Sequence, residues 1–200
     1  MLNTDWSDSW RGAFRIELRA EAIGLASRGW PVLPGSHPSG GEWSGPVPVH
    51  SDWQDTIGAH PDQIAAWWTG NPYSVLVATG TVVDAVEVDA ELGHRAATLL
   101  RQTDRPAPIL ATPNGKWVFL TSSGDEIPAD LAERPGVRWH GAGSWVPLPP
   151  TPFQHGVVHW RVKPETWGWR LPHAGAVHGV LVRALLSLSS EATRMHASAA

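Results

Sequence analysis

The segment Val82–Asp89, an apolar run that ends in two carboxylates, constrains the fold of this 200-residue chain more than any other stretch. Its valines favour a β-strand. Because residues two apart on a strand point to the same face, Glu87 and Asp89 share one face. Two acids at the end of a buried strand are costly unless a cation lies between them. A divalent metal is the usual cation in such a place.

The composition indicates an ordinary globular protein, with 42% hydrophobic and 17% charged residues. Two hundred residues suit one domain. The net charge of -4 argues against a broad basic surface for nucleic acid but is compatible with a local basic groove. The chain has no cysteine, which excludes disulfides and cysteine zinc sites. It contains neither an apolar run of ~20 residues nor a signal peptide, so we expect a cytoplasmic protein without membrane contact.

The periodicity of apolar residues predicts helices and strands in a mixed order, which favours an α+β fold over a doubly wound sheet. Helices are predicted at 13–29, 60–68, 91–102, 128–133 and 177–188, and strands at 30–34, 74–78, 82–89, 107–111, 116–121, 136–148 and 157–162. The pair Asn114-Gly115 lies between two apolar runs and predicts a β-hairpin. We expect flexible ends at 1–12 and 191–200 and one domain, alone in the chain, at 13–190.

Six segments, in this order, resemble the N-terminal domain of the bifunctional DNA primase/polymerase (prim-pol) family of the archaeo-eukaryotic primase superfamily. They are Ala26–Pro34, His60–Trp68, Val75–Gly80, Val86–Asp89, Ala111–Phe119 and Ser144–Thr151. The resemblance implies a primase/polymerase core with a mixed sheet resembling an RNA-recognition fold and a small α/β unit. It also implies nucleotidyl transfer from nucleoside triphosphates on a DNA or RNA strand, with Mg²⁺ or Mn²⁺ as cofactor.

The resemblance assigns roles to the two acids at the strand end. Glu87 and Asp89 match the family's first motif, which is an acid, any residue and a second acid, so they are the expected catalytic residues and metal ligands. Carboxylates suit this chemistry because two metals, held about 3.5–4 Å apart, clamp the attacking and leaving oxygens of an in-line displacement.

The family's other two motifs are altered in this chain. A His is expected on the hairpin strand, where this chain has Trp117, and a further acid is expected where it has Ala142. Lys116 and Asn114 of the hairpin are the candidate nucleotide-binding residues. On a strand Lys116 and Trp117 face opposite ways, so Lys116 cannot simply replace the missing His.

Three further groups of polar residues have alternative interpretations. Arg161 and Lys163 share a strand face between tryptophans, and they are either nucleic-acid contacts or part of an exposed rim. His155 and His159, together with His140 and His173, are candidate ligands for zinc. Residues four apart converge on a metal only on a helix, however, and this segment is predicted to be a strand. Ordinary solvated or hydrogen-bonded histidines are therefore expected. Asp84 is expected to face away from Glu87 unless a bulge intervenes, and to be either solvated or a turn acid.

Three hypotheses therefore stay open. The first is a stand-alone DNA primase/polymerase-like protein that uses Glu87, Asp89 and a divalent metal, with weak or lost catalysis. The second is a catalytically inactive prim-pol module that binds nucleotide, nucleic acid or a protein partner. The third is an unrelated α+β fold that shares only turn chemistry with the family.

Overall fold

A computed structural model of the chain describes residues 5–38, 43–102 and 107–198. Its helices are α1 (Asp5–Ala26), α2 (Pro61–Trp67), α3 (Ala90–Gln102), α4 (Ala129–Ala132) and α5 (Ala174–Ser198). Its strands are β1 (Val32–Gly35), β2 (Ser74–Ala78), β3 (Val83–Asp89), β4 (Ile109–Ala111), β5 (Lys116–Ser122), β6 (Arg138–His140), β7 (Trp145–Pro147), β8 (Pro152–Phe153), β9 (Gly156–Val157) and β10 (His159–Val162). Helices and separate sheets, without regular βα alternation, confirm the α+β fold class.

The chain forms two compact units, of which the first comprises residues 1–82 and 142–159. Its sheet has the order β1-β2-β7, with β2 paired antiparallel to both neighbours. Every residue of β2 is buried, which explains why its sequence is a continuous apolar run. Within this unit a Cβ atom on Gly80 would lie 2.3 Å from the Cα atom of Ala142, so only glycine fits at position 80.

The second unit comprises residues 83–141 and 160–200. Its five-stranded sheet has the order β10-β4-β5-β3-β6, so the strand with the two acids lies between β5 and β6. Alternation along the strands separates the sheet into two faces. One, which we call the helix face, packs against α3 and α5. The buried residues of this core include Val86, Val88, Ala96, Ile109, Trp117, Phe119, Val177 and Leu181.

The termini and the shortest elements differ most from the sequence prediction. Helix α1 begins at Asp5, before the predicted start at Ala13, and α5 continues to Ser198. Both helices thus enter segments expected to be flexible; residues 1–4 and 199–200 lie outside the described part, and the bounds 13–190 stay a prediction. Strand β8 and the 3₁₀ turns Trp53–Thr56 and Pro164–Trp167 were missed because such short elements show no periodicity. The strand predicted at 157–162 is divided between β9 and β10.

The search for membrane-spanning segments covered every described helix. None of them is both long enough and apolar enough to cross a bilayer.

Candidate functional site

Strand β3 presents its two terminal acids on the sheet face opposite the helices. Val86 and Val88 are fully buried on the helix face, so Glu87 and Asp89 point the other way, as predicted. The side chain of Glu87 is 22% exposed and that of Asp89 is 61% exposed. The register shows which side chains share this face with them.

Lys116 lies directly opposite Asp89 in the antiparallel pairing of β3 with β5. Its Nζ donates a hydrogen bond to Asp89 Oδ1 at 2.5 Å. The other oxygen of Asp89 lies against Gly136, because a Cβ atom at that position would come within 2.1 Å of Oδ2. Gly136 also has a φ of +83°, which favours glycine. The Asp89 carboxylate therefore lies between the Lys116 ammonium group and the backbone of Gly136, which has no side chain.

Glu87 has its own basic neighbours on strand β6. Arg138 lies opposite Glu87 in the register, and His140 Nε2 lies 3.8 Å from Glu87 Oε2. This distance is longer than a hydrogen bond, yet it is a close electrostatic contact. The His140 side chain is the largest cause of a lowered pKa at Glu87; burial opposes the shift, and the charges of Arg138 and Lys116 reinforce it. Glu87 is thus stabilised as a carboxylate.

We call the surface formed by Glu87, Asp89, Lys116, Arg138 and His140 the acid face. It holds two carboxylates and two permanent cations, and His140 supplies an imidazole. Arg138 and Gly136 were not identified from the sequence. Alternation along Arg138–His140 places positions 138 and 140 on one face, but nothing in the sequence indicates that this short strand pairs with β3.

Trp117, which occupies the position expected for the family's His, lies on the helix face. A Cβ atom on Gly93 would lie 2.7 Å from Trp117 Cβ, so the indole packs directly on helix α3. Its ring centroid is 4.5 Å from that of His94 and 5.0 Å from the guanidinium carbon of Arg161. The opposite orientation of Lys116 and Trp117 is confirmed, and Lys116 is the residue of this pair that faces the acids.

The contacts of the other predicted binding residues are made with groups other than the two acids. Asn114 is exposed and accepts a hydrogen bond from the Thr112 hydroxyl within the hairpin turn. Arg161 and Lys163 are both exposed, at and just after the edge strand β10, and Arg161 stacks on Trp117. The structure therefore does not bring Asn114, Arg161 and Lys163 together with Glu87 and Asp89 into one cluster of paired side chains.

Asp84 does not fit its predicted environment. It faces away from Glu87, as expected, but it is 3% exposed rather than solvated. The reason is that the helix face of β3 is covered along its whole length, and Asp84 Oδ2 accepts a hydrogen bond from the Gly124 amide at 3.2 Å.

The four histidines considered for a zinc site lie in different surroundings in the described part of the chain. His140 lies beside Glu87, and His173 Nδ1 lies 3.1 Å from Asp125 Oδ2. His155 and His159 are exposed. Among the described residues no group of three or more His, Asp or Glu side chains is arranged to hold a metal ion.

Comparison with models of protein families shows which family this chain belongs to. The family model described as bifunctional DNA primase/polymerase, N-terminal (Prim-Pol), matches residues 22–174. The chain belongs to the Prim-Pol family. The match contains the acid strand, the hairpin with Lys116 and the strand with His140, so the resemblance seen in the six sequence segments is confirmed. No curated protein matches the chain.

The two divalent metals that the Prim-Pol family implies do not fit the residues of the acid face. Lys116 Nζ engages one oxygen of Asp89, and the backbone of Gly136 packs close to the other. Glu87 has the His140 imidazole beside it. Two metals with a triphosphate require several anionic ligands, whereas the positive groups of this face already balance its two carboxylates.

Proposed function

We propose that this Prim-Pol domain is a catalytically inactive member of its family that binds a nucleic-acid strand without nucleotidyl transfer. The observation that carries the proposal is the ion pair between Lys116 Nζ and Asp89 Oδ1, at 2.5 Å. A carboxylate that neutralises an ammonium group of its own chain is a poor ligand for a catalytic metal, because the metal must first displace a bound cation. Membership of the Prim-Pol family supports a nucleic-acid strand as the ligand. The finding that no group of three or more acids and histidines among the described residues is arranged to hold a metal ion supports the loss of nucleotidyl transfer.

The edge of the five-stranded sheet supports binding of a polyanion. Arg161 and Lys163 are exposed and are two residues apart, a separation of roughly 6.8 Å on a strand. Stacking on Trp117 fixes the guanidinium of Arg161, which lowers the entropy cost of bringing it against a phosphate.

Two assays test the two halves of this proposal. In the first, the purified chain is incubated with primed template, labelled nucleoside triphosphates, and Mg²⁺ or Mn²⁺. We expect no extension product from the wild type, as from Glu87→Gln and Asp89→Asn. Template-dependent extension that both substitutions abolish would show an active nucleotidyltransferase, with Glu87 and Asp89 as its metal ligands, and would overturn the proposal.

In the second assay, fluorescence anisotropy measures binding of labelled single-stranded DNA and RNA over a range of salt concentrations. We expect binding that weakens with salt. The double variant Arg161→Gln, Lys163→Gln should reduce the slope of log affinity against log salt by about 1 for each phosphate that it no longer neutralises. The control double variant, Arg28→Gln with Arg101→Gln, removes the same charge elsewhere and is expected to bind like the wild type. Absence of binding to either strand contradicts the proposal.

A further inference from the structure

Trp167, in the segment that follows strand β10, differs from the other tryptophans in its exposure to solvent. Among the tryptophans whose side chains the structure describes, Trp167 alone is exposed, at 38%, and the others are buried or half-buried. The chain thus uses its described indoles mainly for packing. A single exposed aromatic ring is not by itself evidence of a site, so the backbone and the charges around Trp167 decide its meaning.

The backbone around Trp167 is tightly turned and internally hydrogen-bonded. Trp167 is the last residue of the 3₁₀ turn Pro164–Trp167, and the amide of Trp169 donates back to the carbonyl of Pro164 at 3.0 Å. Gly168 and Trp169 both have a φ of +63°, a value that a bulky residue such as tryptophan rarely adopts. Residues held in such conformations persist only where the surrounding structure fixes them, and they cluster at functional sites. The turn therefore presents Trp167 from a defined backbone.

The charges near Trp167 in the chain are mainly positive. Lys163 caps the start of the 3₁₀ turn, and the amide of Arg170 donates to the Trp167 carbonyl at 3.4 Å. Arg161, Lys163 and Arg170 are all exposed, and Glu165 is the one acid between positions 160 and 170. Three permanent cations against one acid make this segment basic, although the net charge of the whole chain is -4. An exposed indole among cations is the combination that proteins use to bind single-stranded nucleic acid.

We propose that Trp167 is a stacking platform for an unpaired base of the strand whose phosphates Arg161 and Lys163 contact. This inference rests on the proposed function, and it specifies the ligand further as a single-stranded segment with accessible bases. Every base has a π-face, so stacking on an indole selects unpaired bases without reading their sequence. Phosphates alone require only the cations, whereas a planar base can also cover the exposed ring.

Stacking and charge have different signatures in a binding measurement. Removal of a cation lowers the slope of log affinity against log salt, because fewer counterions are released. Removal of a neutral ring leaves that slope unchanged and weakens binding by the same factor at each salt concentration. A strand of abasic sites keeps the phosphates and lacks the bases, so it cannot gain from stacking. These differences separate Trp167 from Arg161 and Lys163.

Fluorescence anisotropy measures the Kd of a labelled single-stranded DNA and of an abasic strand of the same length. The samples are the wild type, Trp167→Ala, Trp167→Phe and the control Leu186→Ala, which removes a 64% exposed apolar side chain from α5 of the same unit. We expect the wild type to bind the base-containing strand more tightly than the abasic strand. Trp167→Ala should bind the base-containing strand about fivefold to tenfold more weakly than the wild type, with the salt slope unchanged. Trp167→Phe should retain most of the affinity, and Leu186→Ala should bind like the wild type.

The abasic strand decides whether the ring acts on the bases. The wild type and Trp167→Ala are expected to bind it equally, and thermal unfolding verifies that each variant is folded. The inference is overturned if Trp167→Ala binds the base-containing strand like the wild type, or if it loses the same factor on the abasic strand. It is then the stacking role alone that fails, because the proposed function fails only when the wild type binds neither DNA nor RNA or extends a primer.

Discussion

The two faces of strand β3 accommodate acids in opposite ways. On the acid face, Asp89 and Glu87 each lie against a basic side chain of the same unit, Lys116 and His140 respectively. On the helix face, Asp84 is 3% exposed, and its Oδ1 has no hydrogen-bond partner among the described residues. Of the three acids within six positions of this strand, Asp89 is exposed and Glu87 is half-buried, each beside a basic side chain, whereas Asp84 is buried.

A second buried polar group on the helix face is His178 of α5. It is 2% exposed, and its Nε2 makes no hydrogen bond within the described part of the chain. Its ring packs edge-on against Trp139, with 5.4 Å between the centroids.

The acid face is open at Asp89 and Lys116, but Ala85, Val118 and Leu120 on the same face are fully buried. We therefore expect the partly exposed Lys116 to contribute little to stability and the buried Trp117 on the helix face to contribute much.

The largest expected effect compares two consecutive residues on the two faces. Trp117→Ala removes a 6% exposed indole that packs on Gly93, and removal of a buried aromatic side chain of this size lowers the free energy of unfolding by about 3–5 kcal/mol. Lys116→Ala breaks a partly exposed ion pair, which contributes only about 0–1 kcal/mol. Urea denaturation of both variants and the wild type measures the two decreases.

Lys116→Ala is the matched control for Trp117→Ala, since both shorten a side chain at neighbouring positions of β5. Equal decreases for the two variants would contradict the inference that the buried Trp117 stabilises the unit far more than the partly exposed Lys116. The difference between the two free energies of unfolding therefore tests the comparison directly.

A smaller effect is expected from the titration of His178. Burial is the main cause of a lowered pKa at His178, the charges of Asp125 and Asp84 oppose it, and His173 adds to it. The unfolded chain binds this proton near the ordinary pKa of 6.5, so unfolding takes up a proton at mildly acidic pH. Stability from neutral His178 is complete above that value and is lost as the pH falls through the lower, folded-state pKa.

His178→Phe tests this linkage because phenylalanine keeps a ring against Trp139 and does not titrate. We expect the free energy of unfolding, measured in urea between about pH 7.5 and 5, to fall less steeply with decreasing pH than in the wild type. Val177→Ala, in the same helical turn, is the control and should lower stability by the same amount at each pH. If His178→Phe leaves the slope of the free energy of unfolding against pH unchanged, His178 is not the cause of the pH dependence of stability.

The elements of the fold with strong periodicity could be predicted from the sequence. Strand β2 was predicted at 74–78 and is found there, because a continuous apolar run between turn residues has few alternative structures. The hairpin at Asn114-Gly115 was also predicted, since that dipeptide favours the backbone of a tight turn. The family assignment rested on the order of six such segments.

The composition of the acid face could not be predicted in full. Alternation placed Glu87 and Asp89 together and separated Lys116 from Trp117. It could not show that Asp89 pairs with Lys116 or that Glu87 lies opposite Arg138, because register between strands distant in sequence depends on packing of the whole sheet. A missing His was visible in the sequence, but the lysine that faces the acids could be recognised only once the strands were aligned.

The smallest expected effect is the acid titration of Glu87. The close contact with His140 is the main cause of its lowered pKa, so ionised Glu87 stabilises the folded state. This contribution is complete above the ordinary value of 4.5 and is lost as the pH falls through the folded-state pKa. Glu87→Gln is therefore expected to flatten the decline in the free energy of unfolding below that pH.

The effect is small because burial of Glu87 opposes the contribution of His140. A background of His140→Gln gives the decisive control, since it removes the largest cause of the shift. Urea denaturation across the acid range should show that Glu87→Gln flattens the pH dependence less in this background than in the wild type. If the flattening is the same in both, Arg138 and Lys116 rather than His140 stabilise the carboxylate, and the acid face is held together by its permanent charges alone.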